Sequence, residues 1–106
     1  MNQSRLALGR RIRKLRRKAG LTQAKLAEKA ELSPKHLGEL ERGRGNPSLS
    51  SLENLARALN VSLPELFDYQ RERLSSGEIK AQVHQMIDTA SDEECWLVLR
   101  IFDLIK

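Results

Sequence analysis

Start and stop signals for short helices recur along this sequence, and no segment alternates apolar and polar residues with a period of two. That combination leaves little room for a sheet and predicts an all-α chain built from short helices. Leu8, Ile12, Leu15 and Ala19 fall at i, i+4, i+7 and i+11, one face of a helix that stops at Gly20. Thr22 is placed to cap a second helix, TQAKLAEKA, with Leu26, Ala27 and Ala30 inward. Ser33-Pro34 is an N-cap followed by proline in the first turn, opening PKHLGELER with Leu37 and Leu40 inward and a stop at Gly43. The stretch from Gly43 to Pro47 reads as a loop. Ser48 starts a fourth helix with Leu49, Leu52, Leu55, Ala56 and Leu59 at helical spacing. Ser62 and Glu65 form a capping box for a short fifth helix holding Leu63, Leu66 and Phe67.

Beyond this five-helix body, assigned to residues 1–69, the segment 70–77 (QRERLSSG) has no apolar period and reads as a linker. Residues 78–106 then read as a helical hairpin. Ile79, Val83, Met86, Ile87 and Ala90 mark a sixth helix, and Ser91 with Glu94 caps a seventh. From Cys95 to Ile105 only Arg100 and Asp103 are polar. A helix so apolar cannot be covered by one partner helix, which makes it an oligomerisation element or a segment docked into the body. Trp96, Leu99 and Phe102 are the candidate interface residues, with core packing an equal alternative for Trp96.

Charge divides the chain too, but earlier, between residues 47 and 48. Residues 1–20 carry eight basic side chains and no acidic one, whereas residues 48–106 carry six basic against ten acidic. The basic front suits a polyanion, since neutralising phosphates releases the counterions condensed on nucleic acid. A solvated basic helix is the plainer alternative. An anionic membrane surface fits less well, because this first helix has a narrow apolar stripe.

Other chemistries find no footing. No apolar run nears the ~18 residues of a membrane span, and the N-terminus lacks the apolar stretch of a secretory signal. At 106 residues the chain has no room for a second domain with a small-molecule pocket. His36 and His84 have no Cys or acidic neighbour at ligand spacing, so no metal or other cofactor is expected. Cys95, the single cysteine, fits a reducing cytoplasm and reads as a small packed hydrophobe. Nothing points to an enzyme.

Two helices joined by a turn of three to four residues, the second with polar groups outward, describe a helix-turn-helix over residues 22–42. The string GLTQAKLAEKAELSPKHLGELERGRGNPSLSSLENLARALNVSLPELF resembles the Cro/C1-type (XRE-type) helix-turn-helix domain of phage repressors and bacterial regulators. Leu21-Thr22-Gln23, Leu26-Ala27, Ser33, Leu37, Glu41, Gly43, Pro47-Ser48-Leu49 and Val61-Ser62-Leu63 carry the resemblance, which covers about residues 6–69. Glu31 departs from it, standing where the family usually has glycine in the turn. A left-handed backbone there would strain Glu31 by roughly 1–2 kcal/mol.

In such domains the second helix of the motif enters the major groove and its N-terminal residues reach base edges. Pro34, Lys35, His36 and Glu39 are the candidate base readers. Lys35 is suited to guanine O6 or N7 and Glu39 to cytosine N4, or else to orienting Lys35 one turn away. Gln23, Ser33, Arg42, Arg44 and Asn46 are the candidate phosphate contacts, and Arg10, Arg11 and Lys14 are either further contacts or merely solvated. The resemblance also implies a bracing ion pair between Arg16 and Glu41. The expected partners are double-stranded DNA, a second copy through the C-terminal helices with half-sites about 10 bp apart, and, as an alternative, a separate protein captured by the hairpin.

Overall fold

The structure, a computed structural model, describes residues 3–69 and 74–105, all helices and connecting turns. The helices are α1 (Gln3–Lys18), α2 (Gln23–Lys29), α3 (Pro34–Glu41), α4 (Leu49–Ala58), α5 (Leu63–Leu66), α6 (Ser76–Thr89) and α7 (Asp92–Ile105). The chain divides into two compact units, Met1–Tyr69 and Gln70–Lys106. Among the described residues no helix is long and apolar enough to cross a membrane.

In the first unit each start signal works through a side chain. Thr22, Ser33, Ser48 and Ser62 hold extended backbones, and their hydroxyls accept hydrogen bonds from the amides of Lys25, His36, Ser51 and Glu65. Glu65 returns the bond to the Ser62 amide, closing the capping box. Four helices end alike. The amides of Leu21, Leu32, Arg44 and Val61 reach back five residues to the carbonyls of Arg16, Ala27, Glu39 and Ala56. Each such ending needs one residue with positive φ, supplied by Gly20, Glu31, Gly43 and Asn60 in turn. Glycine adopts that backbone without strain and asparagine tolerates it; Glu31, at φ 58°, bears the cost foreseen from its place in the turn.

The core collects Leu8 and Ile12 of α1, Leu26 and Ala27 of α2, Leu37 and Leu40 of α3, Leu55 and Ala56 of α4, Leu66 of α5, and the helix-end residues Ala30 and Leu59. α1 packs on α3 and α5, and α2 packs on α3 and α4. Gly9 permits a close approach of α1 to the end of α3: a β-carbon there would stand 2.5 Å from the Leu40 carbonyl oxygen and 2.6 Å from that of Glu41. Two apolar residues expected inward face solvent. Ala19 falls in the turn after α1 and is exposed. Phe67 caps a single-turn α5 and is 43% exposed, because the helix ends before it could swing inward; half-buried Tyr69 packs on the core instead.

In the second unit, Ser75 caps α6 by accepting from the Glu78 amide, so the helix starts at Ser76, inside the span read as linker. Gln70 to Arg73 of that span lie outside the described residues. Ser91 and Glu94 form the capping box that opens α7.

Relief of the Glu31 strain is measurable. Glu31→Gly should raise stability by about 0.5–1 kcal/mol, the left-handed penalty less the extra entropy glycine loses on folding. A urea unfolding midpoint that stays put or falls would show that Glu31 holds its backbone without strain.

Candidate nucleic-acid interface

Helix α3 is the short second helix of the motif, and its two sides differ sharply. Leu37, Gly38, Leu40 and Glu41 are buried. At about 100° per residue, Lys35, Glu39 and Arg42 share the opposite stripe. Lys35 and Arg42 are exposed and Glu39 is half-buried, its side chain against the following loop: a β-carbon on Gly45 would lie 3.6 Å from Glu39 Oε2. Pro34 sits at one flank of this stripe and half-buried His36 at the other. Of the four candidate base readers, Lys35 and Glu39 are therefore the central pair. No ion pair joins them among the described residues. The stripe presents separate cationic and anionic groups.

The ion pair that braces the motif is present and buried. Arg16 Nε donates to Glu41 Oε2 at 2.6 Å and Nη2 to Oε1 at 3.0 Å, a forked, two-point contact. Arg16 Nη1 donates to the Leu21 carbonyl at 3.0 Å, tying the end of α1 to the turn before α2. Gln23 Nε2 donates to Glu41 Oε1 at 3.0 Å, and Arg13 Nε approaches the same oxygen at 3.5 Å. The Glu41 carboxylate is fully enclosed, and among the described residues no buried side-chain polar atom lacks a partner. Burial alone would raise the Glu41 carboxyl. The hydrogen bonds from Arg16 and Gln23, with the charge of Arg16 and a contact from Arg13, outweigh it and hold the group below the ordinary carboxylate range. The hydrogen bond to Glu41 raises Arg16 in turn, against the opposing effect of its own burial.

These contacts sort the cations of α1. Arg11, read as a phosphate contact or a solvated group, donates through Nη2 to the Glu65 carbonyl at 2.8 Å and fastens α1 to α5. Arg13 and Arg16 belong to the brace, while Arg10 and Lys14 are exposed.

Among the candidate phosphate contacts, Ser33 is the N-cap of α3, its hydroxyl oxygen already accepting from the His36 amide. Gln23 carries a task that its place at the start of α2 does not announce, since its amide group reaches inward to Glu41. Gly38 leaves a notch beside it: a β-carbon there would lie 3.2 Å from Arg42 Nη1 and 3.8 Å from Gln23 Oε1. Gln23 and Arg42 thus converge where α2 meets α3, and Arg44 and Asn46 follow, exposed, in the next loop. Sequence reasoning passed over Gly9 and Gly38; a glycine inside a helical pattern was the signal in both cases.

In the second unit, Trp96, Leu99 and Phe102 are all more than half exposed. Trp96 lies beneath the Arg100 guanidinium, 5.7 Å from its ring centroid, on the polar side of α7. Val83, Met86, Ile87, Ala90, half-buried Cys95 and Val98 line an open groove of about 460 Å³ between α6 and α7.

A helix-turn-helix family model matches residues 12–66. The immunity repressor protein of Bacillus phage phi105 is 48% identical over 58 residues, covering 55% of this chain and 40% of the repressor. The chain thus spans well under half the length of that relative. The competence pilus inhibition repressor of Acinetobacter baylyi is 33% identical over 104 residues, covering 92% of this chain and 94% of its own. Among solved structures, a SinR protein/SinI protein complex matches at 31% identity with a TM-score of 0.57, covering 92% of this chain and 95% of that one.

The brace makes a thermodynamic prediction. Glu41→Gln strands the Arg16 charge and should cost on the order of 3–5 kcal/mol, whereas a joint Arg16→Met, Glu41→Leu variant should recover most of the loss. Because Glu41 titrates low when folded, its contribution is complete above the ordinary carboxylate value of about 4.3 and disappears as pH falls through the lowered value. Denaturant midpoints between pH 7 and 2.5 should therefore fall more steeply for the wild type than for the joint variant. Parallel curves would show that Glu41 is not held low.

Proposed function

The chain belongs to the Cro/C1-type helix-turn-helix family of DNA-binding transcriptional regulators, and we propose that it is a repressor that binds a palindromic operator as a homodimer. One observation carries the reading: α3 buries one side against α1 and α2 and offers Lys35, Glu39 and Arg42 along the other. In this reading Lys35 donates to guanine O6 or N7 and Glu39 accepts from cytosine N4. Pro34 contributes apolar contact to a thymine methyl, and His36 borders the same base steps. Gln23, Ser33, Arg42, Arg44 and Asn46 grip the phosphates on either side and fix the register. Blocking a promoter needs only occupancy, which favours repression. The site of action is the cytoplasm, on the nucleoid.

A single module makes few base contacts, and a two-fold pair doubles them. The second unit supplies the means. The large apolar side chains of α6 (Ile79, Val83, Met86 and Ile87) lie within about 100° of arc, whereas those of α7, from Leu97 and Leu104 round to Leu99, cover roughly 220°. α6 alone cannot cover that arc, and an exposed apolar surface of this breadth marks an interface. In the homodimer, Leu99 and Phe102 meet the second copy, with Trp96 at the rim. The likeness to a SinR–SinI complex along nearly the whole chain favours a second reading, in which a separate protein occupies the hairpin. Sedimentation of the purified chain separates the two: a dimer supports self-pairing, and a monomer supports the separate partner.

Selection from random duplex DNA at ~150 mM salt tests the operator reading. A palindromic consensus with half-sites about 10 bp apart is expected, and no enrichment would refute it. On the selected site, Lys35→Ala should cost about 1–3 kcal/mol and relax one base position. Arg44→Ala should weaken all sequences alike and flatten the salt slope by about one. A uniform loss for Lys35→Ala would remove it from base reading.

A further inference from the structure

We propose that the outer face of α1 is a second DNA-phosphate surface, holding duplex that flanks the operator rather than the base pairs α3 reads. The inference rests on the DNA-binding reading above and adds a surface to it. Arg10, Lys14, Arg17 and Lys18 are exposed and lie within about 100° of arc on the helix. Their neighbours around α1 are all committed within the fold. Gly9, Arg13 and Arg16 meet α3 on one side, and Arg11 meets the Glu65 carbonyl of α5 on the other. The four cations occupy the arc between these contacts, and none has an ion pair or hydrogen bond among the described residues. The first acidic residue of the whole chain is Glu28.

This arrangement works against the helix that carries it. Arg10 with Lys14, Lys14 with Lys18, and Lys14 with Arg17 are like-charge pairs three or four residues apart, which destabilise a helix. The helix dipole favours Arg17 and Lys18 in the last turn but does nothing for Arg10 and Lys14. A polyanion removes the repulsion. The stripe extends about 12 Å along the axis, enough to follow two or three phosphates of one strand. The narrow apolar side of α1 is spent in the core, which leaves no apolar face for a lipid surface and points to duplex DNA.

The test compares the selected operator alone with the same operator centred in a duplex carrying about 15 bp of unrelated sequence on each side. The proteins are the wild type and the Arg10→Gln, Lys14→Gln, Arg17→Gln, Lys18→Gln variant of the full chain. The wild-type salt slope should be steeper on the long duplex by about 2–3 per protomer. The variant should lose that excess while binding the short operator as before, with a melting temperature no lower than wild type. Equal losses on both duplexes would place the four cations inside the operator contact. No change on either would make them solvated charges, and variant-sensitive binding to anionic vesicles but not to the flanks would assign the stripe to a membrane. Each of these outcomes overturns the proposal. If no operator is selected at all, the operator reading has failed independently, and the same pair of lengths in random duplex still tests the stripe.

Discussion

The buried contact between Arg16 and Glu41 is the constraint on which the DNA-facing geometry depends. Two charges taken out of water are costly, and their attraction repays the cost only where the geometry is good and the remaining donors and acceptors are filled. Both conditions are met: the fork closes at 2.6 and 3.0 Å, Gln23 supplies a further donor to Oε1, and the spare Arg16 nitrogen reaches the Leu21 carbonyl. Apart from Arg13, the components lie at element boundaries. Arg16 is near the end of α1, Leu21 precedes α2, Gln23 begins α2, and Glu41 ends α3. A core of leucines and alanines alone would tolerate some sliding of these helices, because apolar contact has no direction. The forked pair does not tolerate it, and so fixes the crossing of α1 over α3 and the angle at which α3 is offered.

Glycines make the close crossing possible. Gly9 allows α1 to rest on the carbonyls that end α3, near enough for Arg13 and Arg16 to reach a carboxylate in that same last turn. At Gly43, a β-carbon would stand 2.7 Å from Leu6 Cδ2, so the second residue after α3 also presses on α1. The end of the recognition helix is thus clamped to α1, while its N-terminal turn, capped by Ser33, remains clear for a ligand.

Much of this was legible in the sequence because its cause is local. A serine or threonine before a helix acts within three residues, and a helix ending acts within six, so the helices could be placed from local signals, with only the Ser75 start of α6 taken for linker. What escaped depends on distance in space. Ala19 and Phe67 continue an apolar rhythm in the chain, yet α1 and α5 stop before the rhythm can bring them inward. Arg11 resembles Arg10 and Lys14 until α5 folds back and presents the Glu65 carbonyl. Gln23 begins a helix as a phosphate contact would, and only the approach of Glu41 from α3 reveals its inward bond. The Arg16–Glu41 pair was foreseen from the family resemblance, since nothing in a separation of 25 residues announces that the two side chains will meet.

The two units also divide the physical tasks. The first satisfies its polar groups internally and exposes charge; the second exposes the side chains that a folded chain normally hides. Charge on the first unit gives affinity for DNA of any sequence, but it cannot determine how many copies sit side by side. If pairing resides in α6 and α7, specific occupancy depends on an apolar surface that touches no nucleotide. A protein covering Leu99 and Phe102 would then halve the base contacts available to each assembly without altering one residue of α3. Since each mismatched base pair costs about 1–3 kcal/mol, losing a whole half-site removes more affinity than any single operator change. On that condition, the apolar breadth of α7 becomes a point of control over operator occupancy.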